Sequence, residues 1–229
     1  GLVHAHQSLA LAETARGDWT AARKLLEDSL ATAESLQMAE ERTISVATLA
    51  DLDRLEGRMS SALEESDGAL ADFNKRKDQR GATEMMLVRS AIASDLGDWT
   101  GAAQAIHALD PSSAAEQAST LRWRLAEITF AQGQTEAALK AADEAIAEAV
   151  SAHSYAAELL SRLLKVRILG ELSRRDAAQT ELRAVKNGLL RYASMPLRLS
   201  LAETSVQLGG PNALADYQEA RALLARLPA

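Results

Sequence analysis

The chain has 229 residues, of which 47% are hydrophobic but only 3% aromatic, and it carries a formal net charge of −7. It contains no cysteine, which excludes a disulfide framework and thiolate chemistry. No apolar run approaches the roughly 18 residues of a membrane span, so membrane insertion is not expected.

Helix is predicted throughout, with Ala and Leu carrying the packing and with prolines only at 111, 196, 211 and 228. The first pair covers residues 2–37: Leu9 and Ala10 precede a turn at Gly17, Asp18 caps the next helix, and Leu25, Leu26, Ser29 and Leu30 follow at helical spacing. The second pair, 39–78, turns at Gly57 and runs into Lys75-Arg76-Lys77, cations suited to a helix C-terminus, with Gly81 expected as the stop. The third, 81–110, turns at Gly97 and ends at Asp110-Pro111. The fourth, 113–150, opens on a capping box, Ser113-Ala-Ala-Glu116, and turns at Gly133. In the fifth pair, 152–190, the helix over 154–172 is apolar most of the way round, so neighbours are expected on several sides. The sixth, 194–228, starts near Pro196 and turns at Gly209-Gly210, with Pro211 opening the last helix. No apolar/polar alternation extends far enough to predict a strand.

The turns keep a beat. Gly17-Asp18-Trp19-Thr20-Ala21-Ala22 returns as Gly97-Asp98-Trp99-Thr100-Gly101-Ala102. Gly57 with Ala62, Gly133 with Ala138, Ser173 with Ala178, and Gly209 complete a series spaced 40, 40, 36, 40 and 36 residues apart. Such a period marks an array of stacked helix pairs.

These residues resemble the tetratricopeptide repeat family, whose helix–turn–helix motif has small residues where two helices cross and a Gly-Asp-aromatic turn. Gly17-Asp18-Trp19 with Ala22, Gly97-Asp98-Trp99 with Ala102, and Gly133 with Ala138 and Ala145 carry the likeness. Leu9-Ala10, Leu49-Ala50, Leu125-Ala126 and Leu201-Ala202 stand where the family places its Leu-Gly pair. The chain departs from the family in its longer repeat and in Glu13 and Asp53, which occupy positions where an aromatic is preferred. The resemblance implies an all-α, right-handed superhelical solenoid of about six antiparallel helix pairs, forming one domain over 1–229. Longer, aromatic-poor pairs are similar to arrays attached to bacterial signalling proteins, such as large transcriptional activators and serine/threonine kinases. The chain opens on Gly1 rather than Met and is expected to be part of a longer, cytoplasmic protein.

Catalytic chemistry has no foothold in the sequence. His4 and His6 lie two apart, on different helix faces, with no acidic pair at ligand spacing, so no metal is expected. Gly209-Gly210-Pro211 lacks the Lys-Ser/Thr of a phosphate loop, and no nucleophile–base–acid set assembles, so neither enzyme activity nor a cofactor is expected. Nucleic acid is a poor fit to a net charge of −7 with few aromatics.

Trp19 and Trp99 stand where the family packs an aromatic between helices and are read as structural. The basic run Arg162, Lys165, Arg167, Arg174, Arg175, Arg183, Lys186, Arg191 and Arg198 is read as a solvated face balancing the acidic repeats, with an acidic or phosphate-bearing partner as the other reading. In the family the first helices line the concave face. The resemblance therefore places Arg54, Trp123, Arg124, Glu127 and Arg167 on one continuous surface, with Trp123 as apolar anchor and the arginines available to a partner's carboxylates. The expected function is a protein-interaction and regulatory scaffold that binds a peptide or partner domain on that face. The alternative is an effector-sensing domain of a multidomain transcriptional regulator or kinase. Self-association stays open.

Overall fold

The structure, a computed structural model, describes residues 1–109, 117–190, 194–209 and 213–225. Among them there are twelve α-helices and no strand: α1 (Leu2–Arg16), α2 (Trp19–Ser35), α3 (Ala39–Leu55), α4 (Met59–Arg76), α5 (Gln79–Asp95), α6 (Trp99–His107), α7 (Ala118–Ala131), α8 (Thr135–Ser151), α9 (Tyr155–Glu171), α10 (Arg175–Leu189), α11 (Met195–Leu208) and α12 (Ala213–Leu224). They form six consecutive pairs, an all-α, TPR-like arrangement. The packing divides the chain into two compact units, Gly1–Ala115 and Glu116–Leu227. Within each, three pairs lie side by side, with the first helices adjacent: α1, α3 and α5 in one unit, and α7, α9 and α11 in the other.

Local chemistry sets the helix ends. Asp18, Asp78 and Asp98 each accept a hydrogen bond from the backbone N–H three residues on, at 3.0, 2.9 and 2.8 Å. Each satisfies one of the donors that a helix start leaves unpaired. The turn within a pair is made by a residue in the left-handed region: Gly17, Gly57, Gly97, Gly133 and Gly209 at φ 84, 78, 77, 78 and 64°. Ser173 adopts the same conformation at φ 58° without being glycine, and so do Gln37, Lys77 and His153 between pairs. The residue that stops α4 is thus Lys77, not Gly81, next to the expected pair bound at 78. Asp78 caps α5, and Gly81 sits buried in its first turn, where a Cβ would meet the Phe73 ring at 2.4 Å. The expected helix end at Asp110-Pro111, the capping box at 113–116 and the start at Pro211 lie outside the described residues.

The helices of each pair approach through small residues. Ala22, Ala62, Ala102, Ala138 and Ala178, each five residues past its turn, are fully buried, as are Ala10, Ala50, Ser90 and Ala126, each seven residues before one. In the third pair, the Ser90 hydroxyl donates to the Ala102 carbonyl at 3.0 Å, a bond that only a close helix crossing permits.

Candidate functional site

The C-terminal unit is built around α9. Leu159, Leu163, Leu164, Val166, Ile168 and Leu169 are all buried, and α7, α8, α10 and α11 each pack against the helix. Its all-round apolar pattern is therefore used on every side but two narrow lanes. One lane carries Arg162 and Lys165. Arg162 donates to Glu158 at 2.9 Å and Glu181 at 2.8 Å, and Lys165 pairs with Asp143 at 2.8 Å and Glu181 at 2.9 Å. Burial raises the Glu181 pKa, but hydrogen bonds from the two cations outweigh it and hold the carboxyl below its ordinary range. Arg174 is paired with Glu136, and Lys186 with Asp216. Much of the basic run is thus neutralised within the protein. Arg191 lies outside the described residues.

The other lane of α9 carries Arg167 and forms the floor of a groove between α7 and α11. Trp123 and Phe130 on α7 are half-buried against Ala126, Ala138, Ala142, Leu164 and Ile168, leaving their other faces toward the groove. Two cavities lie along it. The first, about 200 Å³, has Trp123 and Leu160, Leu163 and Leu164 for its apolar part and Glu127, Glu203 and Gln207 among its polar groups. The second, about 370 Å³, is lined by Phe130, Gly170, Glu171, Arg175 and Leu208. Arg167, Thr204 and Gln207 belong to both. The Arg167 guanidinium lies 5.8 Å from the centre of the Phe130 ring, within cation–π range. Among the described residues no carboxylate forms an ion pair with it. Arg124 lies 4.2 Å over the Trp123 ring and bonds to Glu127.

The structure thus brings Trp123, Glu127 and Arg167 to one groove, the first two from α7 and the third from its floor on α9, with Arg124 stacked on Trp123. Arg54 lies in the N-terminal unit, where its guanidinium is held by Asp51 at 2.9 Å and Asp95 at 2.8 Å. The α11 wall, Ser200 to Gln207, was not predicted: α11 has apolar residues on all faces, so periodicity singles out no side. Trp19 is buried and Trp99 half-buried, as structural aromatics at the pair turn should be.

In the N-terminal unit a charged cluster joins α2, α3 and α4. Asp53 stands at a position where an aromatic was expected and is almost fully buried. It is bound by Arg23 and by Arg58, the latter at 2.8 Å, while Arg23 also reaches Glu56 at 2.7 Å. Glu65 faces the same cluster with one carboxylate oxygen buried and without a hydrogen-bond partner among the described residues. Burial, with the nearby charge of Asp53 adding to it, pushes its pKa up to about 7. Three carboxylates share two guanidiniums, so one acid is in excess. Among the described residues no group of acids and histidines is arranged to hold a metal ion, and no helix is long and apolar enough to cross a membrane.

No protein-family model matches the sequence, and no curated protein matches it significantly. Solved structures do match in fold. A crystal structure of a Rap protein complexed with competence and sporulation factor aligns at TM-score 0.77 with 15% identity, over 96% of this chain and 63% of that one. Two crystal structures of a putative kinesin light chain from Podosopora anserina, with nearly identical TPR-like repeats, align at TM-scores 0.55 and 0.54. Each is 18% identical over 82% of this chain and 95% of the other. The chain therefore has the TPR-like helical-repeat fold, and it spans less than two thirds of the length of the Rap protein.

Proposed function

We propose that the chain is a protein-interaction and regulatory scaffold, a binding module rather than an enzyme, that holds a peptide segment of its partner in the groove formed by α7, α9 and α11. The observation that carries this reading is Arg167: a charged side chain lying over an aromatic ring, shared by two adjoining cavities, and free of any internal carboxylate among the described residues. A groove with an aromatic anchor, an apolar floor and a few unsatisfied polar groups suits a side chain–bearing ligand with charge. The existence of a protein of the same fold in complex with a factor supports the reading, and we extend it to a role within a longer bacterial signalling protein. A small effector is the second reading, favoured by the 370 Å³ volume of the second cavity.

The test is selection of a displayed random-peptide library against the whole chain, followed by affinity measurements on variants. Trp123→Ala is expected to weaken selected peptides about thirtyfold, the effect of losing a central anchor of ~2 kcal/mol. Trp123 also packs against the core, so Arg167→Ala, an exposed change that leaves the core intact, provides the second readout. Selected peptides that bind both variants as tightly as the parent would remove the groove from consideration. Displacement of bound peptide by a metabolite pool, without peptide dependence on Arg167, would favour the effector reading.

A further inference from the structure

We infer that the outer side of α1 is a docking face, and that its occupant is a further helix pair of the same array, joined ahead of α1 in the same polypeptide. The face belongs to the N-terminal unit and is independent of the peptide-binding reading above.

The first helices of the pairs share a register, counted back from the turn. The residues twelve and five places before it are buried in four of them: Ser45 and Leu52 in α3, Met85 and Ile92 in α5, Ser161 and Ile168 in α9, and Leu197 and Thr204 in α11. Preceding pairs supply the cover. Ser45 lies 3.0 Å from Ser29 of α2, and Met85 packs with Ala69 and Phe73 of α4. Ile168 packs with Ala138 and Ala142 of α8, and Leu197 with Val185 and Leu189 of α10. The same two places in α1 are Ala5 and Ala12, and both are exposed. With Leu2 and Leu9, 61% and 48% exposed, they form one stripe at helical spacing, away from the side by which Val3, Gln7 and Ala10 enter the core. α1 therefore shows to solvent the side that its counterparts bury against a preceding pair.

The register also defines what fits there. The residue twelve places past one turn meets the residue twelve places before the next: Ser29 meets Ser45, Ala69 meets Met85, and Val185 meets Leu197. Asp53, four places before the second turn, is bound by Arg23, six places past the first. In α1 the place of Asp53 is held by Glu13, whose carboxylate reaches the exposed Arg16 at 3.3 Å. A helix that fits α1 thus carries a small or aliphatic residue opposite Ala5 and a cation six places earlier, opposite Glu13. The helix α2 itself has this pattern, in Ser29 and Arg23. The helix α12 does not: twelve places past Gly209 stands the exposed Arg221, where α2, α4, α8 and α10 bury Ser29, Ala69, Ala145 and Val185. Head-to-tail joining of two copies would set that guanidinium against Ala5, so a second copy is a poor occupant and a preceding pair a good one.

The test compares amide exchange in α1 between this chain and the same chain preceded by a second copy of residues 1–40, which sets the added Ser29 and Arg23 opposite Ala5 and Glu13. Exchange across the original α1 is expected to slow by about tenfold or more. Leu9→Glu, harmless in the chain alone, should cancel that protection. Unchanged exchange would show that the face does not accept a pair in this register and would overturn the inference. The complete gene product is then compared with residues 1–229. The same protection of α1, lost with Leu9→Glu, is expected there. Exchange in α1 as fast as in residues 1–229 alone would overturn the inference. So would a dimer of residues 1–229 in sedimentation equilibrium that Leu9→Glu dissociates, because the occupant would then be a second copy.

Discussion

In the N-terminal unit, the layer joining the first pair to the second is polar. Gln7 donates to the Ser45 hydroxyl and to the Glu41 carbonyl, both at 3.0 Å, Ser45 lies 3.0 Å from Ser29, and Asp53 is buried between Arg23 and Arg58. In the C-terminal unit the same kind of layer is aliphatic: Leu159, Leu163, Val185, Leu189 and Leu197 form one cluster, and Val166, Leu169, Ala178 and Leu182 another. Both units use the same pair geometry and the same buried alanines. The difference shows that the helix pair fixes spacing, while the chemistry filling the layer between pairs is free to vary. An aliphatic layer tolerates conservative change, but a buried polar layer is stable only while each member keeps its partners.

That contrast is most sharply exposed by removing a cation. Arg23→Ala would leave Asp53, Glu56 and Glu65 with Arg58 alone, and breaking a buried pair of this kind costs about 3 kcal/mol. Amide exchange should accelerate across α1–α4 and stay unchanged across α7–α12. Lys165→Ala loses the largely exposed Asp143 and leaves Glu181 still held by Arg162, so it should cost about 1 kcal/mol. Similar losses for the two variants would erase the distinction between the units.

The shared part of the design is tested by Ala22→Leu and Ala138→Leu, one in each unit. Both residues are fully buried, so overpacking is expected to cost about 1–3 kcal/mol in either case. A change in melting temperature for only one would mean that the pair crossing is not common to both units.

Smaller, and confined to the N-terminal unit, is a pH effect of Glu65. Its pKa in the fold is raised from 4.5 to about 7, so the fold favours the protonated acid. No penalty exists below pH 4.5; it accumulates as pH rises to about 7 and is constant above. Glu65→Gln should therefore be neutral near pH 4 and stabilising near pH 8. The gain is about 1 kcal/mol once partial exposure is allowed for. Thermal melts of the two proteins at both pH values would show it, and a pH-independent difference would refute it. The smallest effect belongs to Ser173, which holds φ 58° where the other pair turns use glycine. Ser173→Gly is expected to stabilise by about 0.5 kcal/mol, read as a small rise in melting temperature.

The pair boundaries and the buried alanines were legible in the sequence because turn glycines and small residues recur at fixed distances. That Trp123, Glu127 and Arg167 line one groove followed from their positions in first helices. The stop residue itself, Lys77, is not marked in the sequence, because a lysine in the left-handed region leaves no compositional sign, whereas Gly81 looks like a stop and is instead buried against Phe73. The charged cluster was not readable either. Asp53 stood out as a departure, but its partner Arg23 is thirty residues away on another helix, and no local pattern links them. Arg54 lies on a first helix, three residues before its turn as Phe130 does, but it is committed to Asp51 and Asp95.

The turns within pairs close on their own backbone. At the first, the Gly17 N–H reaches the Thr14 carbonyl at 3.1 Å and the Asp18 N–H reaches Glu13 at 3.0 Å, and matching bonds recur at Gly57, Gly97, Gly133 and Ser173. Among the described residues both partners of each of these backbone bonds belong to the same pair. An array built this way can lengthen or shorten by duplication or loss of a whole pair without disturbing the hairpins that remain. A deletion of a few residues inside a helix would instead rotate the alanine stripe away from its partner. Variation in length among descendants of such a chain should come in steps of about forty residues, the period of the pair.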